Sequence, residues 1–148
     1  MSLFTAISIS ASGMEAQRSR AEIITENLAN ADTTRTPEGG PYRRKDAVFG
    51  TSPVAFSFSD ALSSATQGTS GQSLGVTVSD ITIDDREPER RYMPGHPDAD
   101  ADGYVAFPRV DPAEEMVDLM SASRGYQANV AAISAVKDMI ARSIDLFR

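Results

Sequence analysis

The apolar positions of this chain fall into two unlike patterns. Over the first thirty residues they recur at alternating steps of four and three. Leu3, Ile7, Ser10, Met14, Gln17, Ala21, Ile24 and Leu28 form one stripe. Such spacing makes a coiled-coil-like seam on an α-helix, weakened here by Ser10 and Gln17. The predicted helix is about 39 Å long. Asn30 closes it, because Asn tolerates the left-handed conformation at a helix end. The C-terminal stretch repeats the spacing through Met116, Leu119, Ser123, Tyr126, Val130, Ile133, Lys137, Ile140, Ile144 and Phe147. Its start is marked by Asp111 as N-cap, Pro112 as first helical residue and Glu114 as partner in a capping box. This second helix spans about 54 Å. Asp138 and Arg142 are spaced for an i,i+4 ion pair on it.

Both helices exceed the average of about three turns in globular proteins. Only two are present, and the second ends in Ile144, Leu146 and Phe147. Seams of this length predict burial against other chains rather than a self-contained bundle.

The middle, residues 32–110, follows a different rule. Gly and Pro are frequent, and apolar residues alternate: Val54, Phe56 and Phe58, then Val76 and Val78. Ile81 and Ile83 continue in the opposite phase. The slip at Ser79-Asp80 predicts a bulge or a strand end. Tyr104 to Phe107 is a further short strand, and 63–73 reads as a flexible loop rich in Ser, Thr, Gly and Gln. The predicted fold is therefore mainly α with a small β-rich insert. Residues 1–31 form an N-terminal core helix, 32–110 the insert, and 111–148 a C-terminal core helix that packs with the first.

Charge and composition narrow the function. The 148 residues carry 14 Lys or Arg against 21 Asp or Glu, a net charge of −7. Nucleic-acid binding needs a basic surface, so it is not expected. There is no cysteine, which excludes disulfides, thiolate metal sites and thiol nucleophiles. No apolar run reaches the roughly 18 residues of a membrane span, so direct membrane insertion is not expected. Arg18 is the first basic residue, and no secretory signal of the usual kind precedes it.

Two stretches imitate chemistry. In "HPDADADGYV", residues 96–105, alternate aspartates lead to Gly103, as in a calcium loop of the EF-hand type. A loop starting at Asp98 needs a bidentate carboxylate at its twelfth position, and that residue is Arg109. Its flanks are Pro-rich where helices belong. The simpler reading is a turn in which Asp side chains bond their own backbone and Gly103 supplies an unusual dihedral. "GQSLG", 71–75, matches a nucleophile elbow, but that motif needs a strand before the serine and a helix after it. His96, the single histidine, has no His or Cys to join it in a transition-metal site. No enzyme, cofactor or metal is expected.

Three stretches together carry a resemblance. They are "ENLANADTT" (26–34) with "GGPYRRKDAVF" (39–49), "YMPGHPDADADGYVAFPRV" (92–110) and "EEMVDLMSASRGYQANVAAISAVK" (114–137). Across nearly the whole chain they resemble the bacterial flagellar basal-body rod proteins, and among these the proximal-rod type. The resemblance implies a structural subunit of the shaft that carries motor torque through the periplasm. It implies assembly with copies of itself, other rod proteins, the distal rod, the MS-ring protein and the adaptor at the rod base. It also implies passage through the flagellar type III export apparatus without a cleaved signal. The expected interface residues are Leu3, Ile7, Met14, Ala21, Ile24, Asn27, Leu28, Asn30, Met116, Leu119, Tyr126, Val130, Ile133, Ile140, Ile144 and Phe147. Asn27 and Asn30 either end the helix or bond backbone groups of a neighbouring chain or of the C-terminal helix. Gly125, inside a helix, stands where relatives more often carry a larger residue.

Overall fold

The structure, a computed structural model, describes residues 3–54 and 74–145. Two long helices, α1 (Leu3–Ala29) and α2 (Pro112–Asp145), enclose four strands in the sequence. These are β1 (Lys45–Pro53), β2 (Leu74–Ile83), β3 (Glu89–Tyr92) and β4 (Tyr104–Phe107). The mainly helical fold with a β insert is as expected. No helix among the described residues is long and apolar enough to cross a membrane.

The start of α2 follows from its cap. The Asp111 carboxylate accepts the Ala113 N–H at 2.8 Å, and the Asp111 carbonyl accepts the Glu115 N–H. This satisfies a donor that every helix start leaves open. The reciprocal bond from Glu114 is not made among the described residues. Asp138 and Arg142 also stay apart, both exposed; among the described residues the i,i+4 ion pair is Arg18 with Glu22, on α1.

The end of α1 corrects an expectation. No non-glycine residue has positive φ among the described residues, so Asn30 does not use the left-handed conformation. Its side-chain amide instead donates to the Glu26 carbonyl at 2.9 Å, and its Oδ1 accepts from the Thr33 hydroxyl. The cap is made by the side chain, which leaves the backbone in ordinary geometry.

β1 and β2 form an antiparallel ribbon that packs on α1. Val48 pairs with Asp80 and Phe49 with Val78, which leaves Ser79 as an extra residue. The phase slip in the sequence is this bulge. Its effect follows from the uninterrupted partner strand. Ala47, Phe49 and Thr51 share one face of β1, and their partners are Ile81, Val78 and Val76. The extra residue thus brings both apolar runs of β2 to a single face. The alternation at Val54, Phe56 and Phe58 lies largely outside the described residues, as does the 63–73 loop. β1 itself precedes it, in a stretch whose charges and Gly50 hide its alternation.

β3 and β4 form a second two-stranded sheet, with Tyr92 opposite Tyr104. The loop between them contains the DADADG stretch, and it is a shaped turn. Asp100 Oδ1 accepts the backbone N–H groups of Asp102 and Tyr104, at 3.0 and 2.8 Å. Gly103 has φ +81°, and a Cβ there would lie 2.9 Å from the Tyr92 ring. Glycine is required on both counts. Asp98 accepts from the Thr34 hydroxyl at 2.8 Å, tying the turn to the segment after α1.

Candidate subunit interface

The two helices run antiparallel, and facing residues show it. Gly13 lies under Asn129, Gln17 over Gly125, Arg20 against Asp118 and Asn27 against Glu115. On α2 the inward positions Glu115, Ala122, Asn129 and Val136 recur every seven residues, the period of a coiled-coil seam. On α1 the buried residues are Thr5, Ala16, Ile24 and Asn27. The seam is therefore small and polar. Two of its layers are reciprocal, each pairing one helix's glycine with the other's amide side chain. A Cβ at Gly13 would meet Asn129 at 3.0 Å, and one at Gly125 would meet Gln17 at 3.1 Å. Glycine lets the backbones approach there.

This seam is not the stripe that the apolar spacing marks. Among the described residues of that stripe only Ile24 is buried, together with Asn27 beside it. Ile7, Met14, Ala21, Leu28 and Asn30 are half-buried, as are Leu119, Ile133 and Ile140. Leu3, Met116, Tyr126, Val130 and Ile144 are exposed, Met116 by 53% and Ile144 by 64%. Phe147 lies outside the described residues. Phe4, Val117, Met120 and Met139 add to the exposed apolar surface. Scattered apolar residues on a surface are ordinary; a run of them along α2 is not,.

The seam ends in a polar knot. Asn27, with no exposed surface, makes every hydrogen bond its amide can make. Nδ2 donates to the Lys45 carbonyl at 2.8 Å and to Glu115 Oε2 at 3.3 Å. Oδ1 accepts from Lys45 N and from the Tyr42 hydroxyl, both at 2.9 Å. Two donors and two acceptor lone pairs are thus all used. Glu115, 1% exposed, also accepts from Arg44 Nε at 2.5 Å. Arg44 reaches toward Asp46 and Asp118, and Asp118 pairs with Arg20. Burial lowers the tendency of the Arg44 guanidinium to stay charged, but its bond to Glu115, then the charges of Glu115 and Asp46, more than offset this and raise its pKa. Burial, then the charges of Glu26 and Glu115, push the Tyr42 phenol up to about 12.

The knot joins the end of α1, the start of β1 and the first turn of α2. Asn27 was among the expected site residues, and its amide bonds the Lys45 backbone and a C-terminal-helix side chain within this chain. Glu115, Arg44 and Tyr42 were not foreseen. Nothing in the spacing distinguishes Glu115 from a solvated carboxylate, since helical surfaces are full of them. Ser12 fastens β2 to α1. Its hydroxyl accepts the Val76 N–H at 3.1 Å, and Gly75 packs directly on it.

Comparison with known proteins places this architecture. A family described as flagella basal body rod protein matches residues 7–35, most of α1 and the turn after it, including Asn27 and Asn30. A second, the flagellar basal body rod FlgEFG protein C-terminal family, matches 101–146. The flagellar basal-body rod protein FlgC of Bacillus subtilis is 43% identical over 150 residues, covering 99% of each chain. The chain belongs to the FlgC family of flagellar basal-body rod proteins. FlgC of Salmonella typhimurium is 40% identical, with 99% of this chain and 98% of that one covered. FlgC of Borreliella burgdorferi is 36% identical, over 100% and 99%. As a FlgC-type protein, this chain is a structural rod subunit of the flagellar basal body. Of the knot, Asn27 falls inside the first matched family region and Glu115 inside the second, while Tyr42, Arg44 and Lys45 lie between the two.

Proposed function

We propose that the exposed apolar stripe of the helix pair is the surface by which this subunit enters the rod, in its proximal part. The observation that carries the reading is the mismatch between the two stripes. The pair closes on small and polar residues, and it leaves Met116, Met120, Tyr126, Val130 and Ile144 facing outward. Burial of such side chains stabilises by about 1.5–3 kcal/mol each, so the stripe is a substantial drive for association. A shaft needs no catalytic group. Torque passes through packed side chains spread along a long contact, each contributing little and together resisting displacement. The partners are further copies of this chain and neighbouring rod proteins, with the MS-ring protein and rod-base adaptor below and the distal rod above. The chain reaches the periplasm by the flagellar type III route.

The test is mass spectrometry of hook–basal bodies purified from the source bacterium. The chain is expected at a few copies per particle. Basal bodies that contain other rod proteins but not this one would overturn the reading. A variant with Met116 and Met120 both changed to Glu tests the surface: it should fold and fail to enter the particle.

A further inference from the structure

The β insert carries opposite charges at its two ends. At one end a cleft of about 100 Å³ is lined by Arg43, Arg44, Arg86 and Arg109, with Asp84, Tyr42 and the open Gly39–Gly40 turn. Three of the arginines are engaged: Arg43 with Asp85, Arg44 with Glu115 and Arg86 with Asp84. Arg109 is exposed and has no ion-pair partner among the described residues. Its field reaches Asp84 and Glu89, but these are bonded to Arg86 and Arg91. At the other end is the 93–103 turn. There Asp98 and Asp100 are used internally. Asp102 is exposed and its carboxylate has no partner among the described residues. The backbone bonds to Asp100 hold it on a fixed turn, so little freedom is lost when it docks.

Arg109 and Asp102 do not meet within one chain. β4 separates them, and its four residues span roughly 10 Å. We propose that the Asp102 turn of one subunit docks against the Arg109 cleft of a second copy, head to tail. The contact is heterologous: each copy offers its turn to one neighbour and its cleft to another. Such a contact does not close on two-fold symmetry and propagates as a helical series or a ring. The charge pair sets which surfaces meet and in what register more than how tightly they bind. The proposal rests on the rod reading, since it needs adjacent copies.

Because the chain has no cysteine, a paired-label experiment is clean. Cells co-express two variants, Asp102→Cys and Arg109→Cys, and basal bodies purified from them are treated with a short bismaleimide. A covalent dimer of this chain is expected, absent from cells carrying either variant alone. Both variants present in basal bodies and unlinked would overturn the head-to-tail contact and leave the rod assignment standing. Absence of even the unaltered chain from basal bodies would sink the rod assignment itself. A charge exchange covers the case in which cysteine variants fail to assemble. Asp102→Arg and Arg109→Asp should each reduce swimming, and the two together in one chain should restore it. Failure of the exchanged pair to do better than either single change overturns the contact.

Discussion

The inside and the outside of the helix pair are built from different kinds of residue. Inside are Ala16, Ala122, Gly13, Gly125, the amides of Gln17, Asn27 and Asn129, and Glu115, with Ile24 and Val136 as the larger apolar members. Outside are three methionines, two valines, a tyrosine and an isoleucine of α2, with Leu3 and Phe4 at the start of α1. In an ordinary two-helix unit the assignment is reversed, with the large apolar side chains meeting each other. The difference teaches that the pair is not designed to be stable by its own apolar burial. Its register is fixed by shape and hydrogen bonds, and its hydrophobic content is kept for a surface beyond the chain. Buried polar groups are known to specify register at a cost in stability, and the Asn27–Glu115 knot fits that role.

The sharpest way to break the comparison is to remove one member of the buried charge pair. Arg44→Met leaves the Glu115 carboxylate buried without its cation, and about 3–5 kcal/mol of stability should be lost. Urea unfolding of the purified chain reads the loss. Next comes Asn27→Ala, which strands the Lys45 backbone groups and the Tyr42 hydroxyl at once. A loss of about 3 kcal/mol is expected, with the unfolding midpoint lowered; an unchanged midpoint would mean the knot contributes nothing. Tyr42→Phe deletes a single bond, for about 1 kcal/mol. It also has a pH signature. The folded phenol titrates near 12 and the unfolded one near 10,. The neutral form is favoured in the fold, so its contribution is complete below pH 10 and is lost as the pH rises toward 12. Stability measured across that window should fall more steeply in the unaltered protein than in Tyr42→Phe.

The smallest effect belongs to the outside. Met120→Lys should change the stability of the isolated chain by no more than about 0.5 kcal/mol while reducing entry into basal bodies. A large destabilisation of the monomer would show that the outer stripe is already covered within the chain.

How much of this was legible depended on whether a residue's job was local. Asp111 and Pro112 act on the turn that follows them, and they mark the start of α2 correctly. The bulge at Ser79 was visible because the alternation of β2 changes phase within a few residues. Tyr104–Phe107 was visible as a short apolar run. β3, with the sequence Glu-Arg-Arg-Tyr, was not, because it forms by pairing with β4 and carries no apolar pattern. The helical periodicity located both helices but not their contact face. Apolar spacing reports where apolar residues lie, and here the intrachain contact uses the others. Glu115, Arg44 and Tyr42 come together from positions far apart in the sequence, and nothing local to any of them announces the meeting.

The placement of the knot also has a mechanical consequence. It clamps the helix pair at the Asn27–Glu115 end, where β1 is fastened as well. Toward Gly13 and Asn129 the helices meet through a glycine layer, and no second buried ion pair lies there among the described residues. The subunit is thus a cantilever, rigid at its root and compliant toward its tip. A twist delivered along it is transmitted with little give at the root and is taken up where the helices can part.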